Sequence, residues 1–135
     1  MNVALDPLLA QALPAIAREV DGLFDALLPG EGKLAEAMRY AAIGGGKRLR
    51  PLLLTATAAM HGVDRSQALR AAIAIESIHA YSLVHDDLPC MDDDAMRHGK
   101  PSTHKAFGEA VAVLAGDALQ SFAFEVLVNP ATSGD

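Results

Sequence analysis

Apolar residues recur at three- and four-residue steps along most of the chain, which is the spacing of one buried face of an α-helix. Pro29–Gly30, the glycines at 44–46 and Pro89 interrupt these runs where helices are expected to end. Asp64 is placed to cap the longest run at its amino end. No stretch alternates with the two-residue period of a convincing strand. We therefore predict five helices, approximately over residues 8–28, 33–43, 51–61, 65–87 and 109–128.

The segments between these helices carry turn-forming and polar residues. Residues 92–104 are rich in Asp, Gly, Pro, Ser and Thr and are predicted to be a loop, and residues 129–135 to be a linker or an exposed end. No internal repeat or change in composition indicates a second domain. The chain is 51% hydrophobic but only 4% aromatic, a composition that favours closely packed helices. The predicted fold class is all-α.

Charge and composition argue against several classes of protein. A net charge of −6 is unsuited to coating nucleic acid, because affinity for a phosphate backbone comes from accumulated Lys and Arg. Cys90 is the single cysteine, so the chain has no intrachain disulfide, and we expect a reducing cytoplasmic location. The most apolar window, 110–128, contains Asp117 and Glu125, which are costly in lipid. Asp6 and two prolines interrupt the N-terminus before a signal peptide could form.

An acidic cluster at residues 86–94 places five carboxylates within nine positions. Two such charges about 4 Å apart repel by about 4 kcal/mol at an effective dielectric of about 20, so a bound cation would relieve them. Oxygen-only ligands favour Mg²⁺. The alternatives are a solvated acidic loop and a calcium loop, although the central glycine of a calcium loop is missing. Asp86 and Asp87 end an apolar helix, where the dipole disfavours acids, and this favours the metal site.

A polar strip is predicted to descend from the acidic cluster along the fourth helix. At 100° per residue, Glu76, His79, Asp86 and Asp87 share one face. A single histidine is more often a satisfied core or surface residue than a ligand. Both interpretations of His79 stay open on spacing alone.

A glycine run followed by cations is predicted to form a phosphate site. Gly44–Gly46 precede Lys47, Arg48 and Arg50 at the start of a helix, where free N–H groups add to the side-chain charges. The pattern is not a Walker A loop, and a plain helix break with solvated cations is an equal alternative. A second basic patch, 97–100, could neutralise the nearby aspartates or bind phosphate. Two basic clusters flanking a carboxylate cluster together suggest a ligand with several phosphates.

Four motifs of the chain are GGKRLRP at 45–51, ExxHxxSLxHDDLP at 76–89, GKPSTH at 99–104 and VLAGDAL at 113–119. In order and spacing they closely resemble the polyprenyl synthetase family, specifically bacterial farnesyl and geranylgeranyl diphosphate synthases. The resemblance covers nearly all of residues 33–128. It implies a class I isoprenoid synthase helical bundle, usually a homodimer. It also implies a prenyltransferase of isoprenoid biosynthesis that joins isopentenyl diphosphate to dimethylallyl or geranyl diphosphate.

The resemblance assigns the acidic cluster to the first aspartate-rich motif, in its DDxxxxD form. Asp86 and Asp92 match the carboxylates that bind Mg²⁺ bridging the allylic diphosphate, and Asp87 belongs to the same catalytic motif. Arg97 matches an arginine that contacts this diphosphate. Lipid and nucleic acid are not expected as partners.

The resemblance also assigns a site for isopentenyl diphosphate, to which Lys47, Arg50 and His79 correspond. His98 stands where the family usually has the second of two arginines. A permanently charged contact is thereby replaced by a titratable group. We expect weaker or more pH-dependent binding of isopentenyl diphosphate.

Product length in the family depends on bulk just before the first aspartate pair. Tyr81 resembles the aromatic residue of bacterial farnesyl diphosphate synthases and favours farnesyl diphosphate. On an ideal helical wheel, however, Tyr81 lies about 140° from Asp86, and Ser82 is better aimed. Both residues are chain-length candidates.

A second aspartate-rich motif does not occur after Asp94. We therefore interpret residues 1–135 as the N-terminal part of a single isoprenoid synthase domain, without the C-terminal helices that carry this motif, and expect the piece alone to be inactive. The alternatives are a noncatalytic or regulatory subunit related to such a synthase, and an acidic metal-buffering protein.

Overall fold

The computed structural model describes residues 6–134. Residues 1–5 and Asp135, which belong to the predicted domain and tail, lie outside this range. Within it the chain forms α1 (Pro7–Leu27), α2 (Lys33–Ala42), α3 (Leu49–Met60), α4 (Arg65–Asp86), β1 (Met96–Arg97), β2 (Lys100–Pro101), α5 (Thr103–Phe107), α6 (Glu109–Val128) and α7 (Pro130–Ser133).

The five predicted helices are confirmed with boundaries shifted by two residues or fewer, as α1 to α4 and α6. The carboxylate of Asp64 caps α4, accepting hydrogen bonds from the backbone N–H of Ser66 at 2.9 Å and of Gln67 at 3.3 Å. The pKa of Asp64 is held below its ordinary value, chiefly by the hydrogen bond from the Ser66 side chain. The helix α3 begins at Leu49 rather than Pro51, which leaves the proline inside its first turn, where a missing N–H costs nothing.

The core lies where α4 and α6 pack against each other and against α1 and α2. Alanine and glycine on α6 allow the close approach, since Ala112, Ala115 and Gly116 are all buried. This packing is the structural basis of the alanine-rich, aromatic-poor composition. The fully buried large side chains at its centre include Val20, Phe24, Ile73 and Leu119.

By length and hydropathy alone, α6 could cross a membrane. Its buried positions, however, form the face that packs onto α4 and the rest of the core. A core helix of a globular protein passes the same test of length and hydropathy. The packing therefore accounts for the apolar sequence of α6.

Two segments predicted to lie outside the helices contain regular structure. The predicted loop 92–104 contains a two-stranded antiparallel hairpin and the start of α5. The strands are too short to show a period, and their turn is made by His98 and Gly99, which both have positive φ, 52° and 76°. A histidine in that position is not a strong turn signal.

The predicted exposed tail forms α7, which packs against α4. The hydroxyl of Thr132 donates to the carbonyl of Val126 at 2.6 Å and accepts from Nε of Arg70 at 2.9 Å. Local sequence patterns do not indicate this docking, because the contact with Arg70 crosses 62 positions of the chain.

Candidate active site

The glycine run forms the turn between α2 and α3 and lies against the hairpin. Gly44 and Gly46 both have φ of 78°, which favours glycine. At Gly45 an added Cβ would lie 2.9 Å from Cδ2 of His98, so a side chain there would collide with the imidazole ring. The absence of side chains thus lets the hairpin turn dock on the beginning of α3.

A cavity of about 310 Å³, called the basic cavity below, opens at the N-terminus of α3. Four residues predicted to bind substrate line it together: Lys47, Arg50, His79 and His98. Lys47 and Arg50 are exposed at the beginning of α3, where the free N–H groups of a helix N-terminus favour an anion. Residues distant in sequence therefore converge on one site suited to phosphate.

Both histidines of the basic cavity have pKa values below the ordinary value. Partial burial is the main cause for His79, followed by the charge of Arg50. Partial burial also leads for His98, followed by the charges of Arg97, Arg48 and Lys100. At neutral pH the fixed positive charge of the cavity therefore comes from lysine and arginine.

The acidic cluster folds back on the end of α4. The N–H of Asp92 donates to the carbonyl of Asp86 at 2.8 Å, and the N–H of Asp94 donates to that of Asp87 at 3.1 Å. Asp93 at the bend has φ of 53°, a conformation that aspartate tolerates better than most residues. The backbones of Asp86 and Asp92 are therefore neighbours, although six positions separate them.

Asp87 differs from the other aspartates of this turn, because its side chain is only 2% exposed. Arg97 donates from Nε to Oδ2 at 3.0 Å and from Nη2 to Oδ1 at 2.5 Å. The hydrogen bond from Arg97 to Asp87 raises the pKa of Arg97. The structure thus places Asp87 in a closed ion pair, and Arg97 is bound to it rather than to the exposed aspartates. Asp94 approaches Arg97 only to 3.8 Å.

The donor set of the acidic turn fits a magnesium ion that binds together with a phosphate ligand. Within residues 6–134, no three acidic, histidine or cysteine side chains converge as a complete metal site. Asp86 is half-buried and Asp92 exposed, and neither is hydrogen-bonded through its carboxylate in this part of the chain. Mg²⁺ commonly binds through one or two carboxylates and completes its shell with water and phosphate oxygens. These two aspartates, without Asp87, could supply that pair.

The two chain-length candidates lie on α4 away from the basic cavity. The ring of Tyr81 packs edge-on against His85, with 5.7 Å between ring centroids, and against the main core. The hydroxyl of Ser82 donates to the carbonyl of His79 at 2.7 Å and so stays on its own helix. Of the two candidates, Tyr81 therefore has the ring that contacts His85, next to the acidic end of α4.

Two hydrogen bonds from side chains to backbone carbonyls hold the hairpin against Tyr40 of α2, a residue to which the sequence assigned no role. Nζ of Lys100 donates to the carbonyl of Tyr40 at 2.6 Å and lies 3.9 Å from the centre of its ring. The Tyr40 hydroxyl donates to the carbonyl of Pro101 at 2.7 Å. Partial burial, with the nearby Arg48, lowers the pKa of Lys100. The GKPSTH motif contained Lys100, but its aromatic partner lies 60 positions earlier and carries no local signal.

Arg48 and Glu76 are further residues of the basic cavity whose importance the sequence indicated only weakly. Both are buried and joined by an ion pair, with 3.1 Å between Nη1 and Oε1. The signal in the sequence was a charged residue, Glu76, within an otherwise apolar stretch of α4.

Known proteins are similar to this chain in both sequence and fold. The chain is 53% identical over 121 residues to farnesyl diphosphate synthase of Haemophilus influenzae, a match covering 90% of this chain and 41% of the relative. It is 60% identical over 103 residues to the heterodimeric geranylgeranyl pyrophosphate synthase large subunit 1 of Arabidopsis thaliana, covering 76% and 28%. The chain therefore spans less than half the length of these relatives.

An experimental structure agrees with the helical arrangement. The apo crystal structure of an FPP/GFPP synthase from Zymomonas mobilis superposes with a TM-score of 0.90 at 56% identity, covering 94% of this chain and 47% of that one. This likeness confirms the all-α isoprenoid synthase fold. The sequence profile of the polyprenyl synthetase family matches residues 31–133. The chain belongs to the polyprenyl synthetase family.

Proposed function

We propose that this chain is part of a prenyltransferase of isoprenoid biosynthesis. It condenses isopentenyl diphosphate with an allylic diphosphate, dimethylallyl or geranyl, to a short-chain prenyl diphosphate, with farnesyl diphosphate as the favoured product. The observation that carries the proposal is the basic cavity, where Lys47, Arg50, His79 and His98 converge at the N-terminus of α3. The named relatives, which are farnesyl and geranylgeranyl synthases, support this activity.

The chain's own groups have a consistent division of work in this reaction. Lys47 and Arg50 bind the diphosphate of isopentenyl diphosphate and, with the α3 N-terminus, hold it in place. Asp86 and Asp92 would hold Mg²⁺, which when bound would supply positive charge to offset that on the diphosphate of the allylic substrate. Arg97, oriented by Asp87, would contact that leaving group from the edge of the acidic turn. Charge stabilisation at the leaving group lets the C–O bond to the diphosphate break, and the homoallylic double bond of isopentenyl diphosphate then attacks the allylic carbon. The cation formed by this attack loses a proton, which the released diphosphate accepts, and the product double bond forms.

The arrangement of the complete protein is also part of the proposal. We propose that residues 1–135 form the N-terminal part of one domain and are inactive alone, because two free carboxylates form only one side of a metal site. We propose a cytoplasmic homodimer without nucleic-acid or membrane partners. The single exposed thiol of Cys90 agrees with a reducing compartment.

The principal test is Asp86→Ala in the complete protein, assayed for prenyl transfer with purified isopentenyl and geranyl diphosphates. We expect turnover to fall by at least about a thousandfold, since one metal ligand is lost, while the circular dichroism spectrum stays the same. The matched control is Asp93→Asn on the same turn, which keeps a residue tolerant of positive φ and is expected to retain activity within about twofold. Undiminished activity of Asp86→Ala would refute the magnesium assignment.

Calorimetry separates the proposed enzyme from an acidic metal-buffering protein. We expect Mg²⁺ to bind weakly alone and at least about tenfold more tightly with a diphosphate analogue, because phosphate oxygens complete its shell. A buffering protein would bind Mg²⁺ equally in both titrations.

A further inference from the structure

Arg48 has a backbone conformation that is unusual for its residue type. Its φ is 57° and its ψ is 32°, in the left-handed region, which is strained for a residue with a Cβ. It also caps α3, since its carbonyl accepts from the N–H of Leu52 at 3.1 Å. A strained residue at this point fixes the direction in which the first turn of α3 leaves the glycine run.

Side-chain contacts hold Arg48 in that conformation. Its guanidinium, 4% exposed, donates to Glu76 on α4 at 3.1 Å, to Asp21 on α1 at 2.7 Å and to the carbonyl of Ala42 at the end of α2 at 2.6 Å. Its carbon lies 5.8 Å from the centre of the Phe24 ring. The planar guanidinium of arginine can donate to several fixed acceptors at once, and the single ammonium group of lysine cannot reproduce this geometry. One side chain therefore joins three helices to the start of a fourth.

The positive charge of Arg48 is neutralised by carboxylates within the protein. Two carboxylates face it, from Glu76 and from the half-buried Asp21. The neighbouring Lys47 and Arg50 are exposed on the basic cavity and have no ion pairs within residues 6–134. Arg48 therefore lines the cavity without offering it a free positive charge.

Glu76 adds an independent sign that this network serves a binding site. Its side chain is 4% exposed and lines the basic cavity, and Oε2 has no hydrogen-bond partner in the described part of the chain. An unpartnered buried carboxylate oxygen is costly, so a purely structural pair would not favour it.

We propose that Arg48 is a positioning residue that sets the geometry of the basic cavity through its contacts with Glu76, Asp21 and the end of α2. By fixing the first turn of α3, it aims Lys47 and Arg50 at the same diphosphate group. The inference rests on the proposed function, because it assumes that the basic cavity binds a diphosphate.

The test measures binding of inorganic diphosphate to the intact protein by calorimetry. Arg48→Lys keeps the charge and loses the fork, and we expect binding to weaken about tenfold because the cations are misplaced. Lys47→Ala removes a direct contact and is expected to weaken binding similarly. The control is Arg39→Lys: Arg39 also bridges two helices, donating to the carbonyls of Asp25 at 3.2 Å and Leu28 at 3.3 Å, but lies outside the cavity lining. It should lower the melting temperature and leave diphosphate affinity within about twofold.

A second variant tests the proposal by the direction in which diphosphate affinity changes, and this direction is less sensitive to a partial loss of folding. Asp21→Asn removes a half-exposed negative charge next to a cavity that binds anions. Electrostatics alone would tighten diphosphate binding, whereas loss of an anchor of Arg48 would weaken it about threefold. Weaker binding supports the positioning role, and unchanged or tighter binding overturns it.

The outcomes also separate this inference from the proposed function. If wild type binds diphosphate, Lys47→Ala binds weakly and Arg48→Lys binds within about twofold of wild type, the positioning role is wrong and the site stands. If wild type does not bind, or Lys47→Ala binds as wild type does, the proposed site fails and the inference with it.

Discussion

At the residue scale, the aspartates of the acidic turn have different environments despite their adjacent positions. Asp87 is buried in a bidentate pair with Arg97, whereas Asp92 and Asp94 are exposed. When a buried carboxylate loses its charge, its cationic partner is left without a counter-charge. When an exposed carboxylate loses its charge, water solvates the partner instead. The same residue type therefore serves stability at one position and is available for ligands at another.

Asp87→Asn is expected to lower the free energy of unfolding by about 2–4 kcal/mol, because one of the two oxygens that accept from Arg97 is replaced by an NH₂ group, which is itself a donor, and the charge of the buried partner is lost. Asp94→Asn, whose carboxylate approaches the same arginine only to 3.8 Å, should change it by less than about 0.5 kcal/mol. Urea denaturation of both variants measures the difference. Equal effects would contradict the assignment of Asp87 as the principal partner of Arg97.

Tyr81→Ala is expected to lengthen the prenyl product of the complete protein, because it removes a ring beside the acidic end of α4. Tyr81→Phe keeps the ring and should keep the product. Chromatography of the dephosphorylated products measures chain length. A product distribution in Tyr81→Ala that matches wild type would remove Tyr81 as a chain-length residue.

At the element scale, the contact of α4 with α6 depends on the absence of one side chain. Gly116 on α6 lies under the imidazole of His85, where an added Cβ would be 2.1 Å from Nε2. That nitrogen lies 3.0 Å from the carbonyl of Val113. The glycine therefore lets the acidic end of α4 pack directly on α6.

Gly116→Ala is expected to destabilise the fold by about 1–3 kcal/mol, since His85 must leave its place or the helices must separate. Gly22→Ala is the matched control on α1, where an added Cβ meets nothing within 4 Å, and it should stabilise by about 0.5–1 kcal/mol through helix propensity. Thermal or urea denaturation compares the two. The two variants are expected to change the free energy of unfolding in opposite directions. Destabilisation by both substitutions would argue against specific overpacking at Gly116.

At the scale of the whole molecule, the basic cavity collects charge from elements that are distant in sequence. Lys47 and Arg50 come from the start of α3, His79 from α4 and His98 from the hairpin. The pKa of each histidine is lowered from 6.5, chiefly by partial burial and then by neighbouring cations, with Glu76 opposing this shift at His79. Without ligand, the unfolded chain therefore binds more protons just below pH 6.5, and stability should decrease as the pH falls through this window.

Diphosphate binding should have the opposite pH dependence and become stronger as the pH falls, because an anion stabilises the protonated imidazoles. We expect affinity for inorganic diphosphate to rise more steeply in wild type than in the His79→Gln, His98→Gln double variant as the pH falls from about 8 to about 6. Protonation of diphosphate itself is common to both proteins and cancels in the comparison. Parallel pH profiles would exclude these histidines as the titrating groups.

The sequence alone determined the helices, the all-α class and the family motifs, since periodicity, caps such as Asp64 and turn residues act over a few positions. It also identified the cations that line the basic cavity. The folded chain was needed to show that Arg97 pairs with Asp87, that Arg48 joins three helices, and that residues 96–101 form a hairpin held by Tyr40. These contacts join residues that are distant in sequence, and local sequence patterns do not predict such contacts.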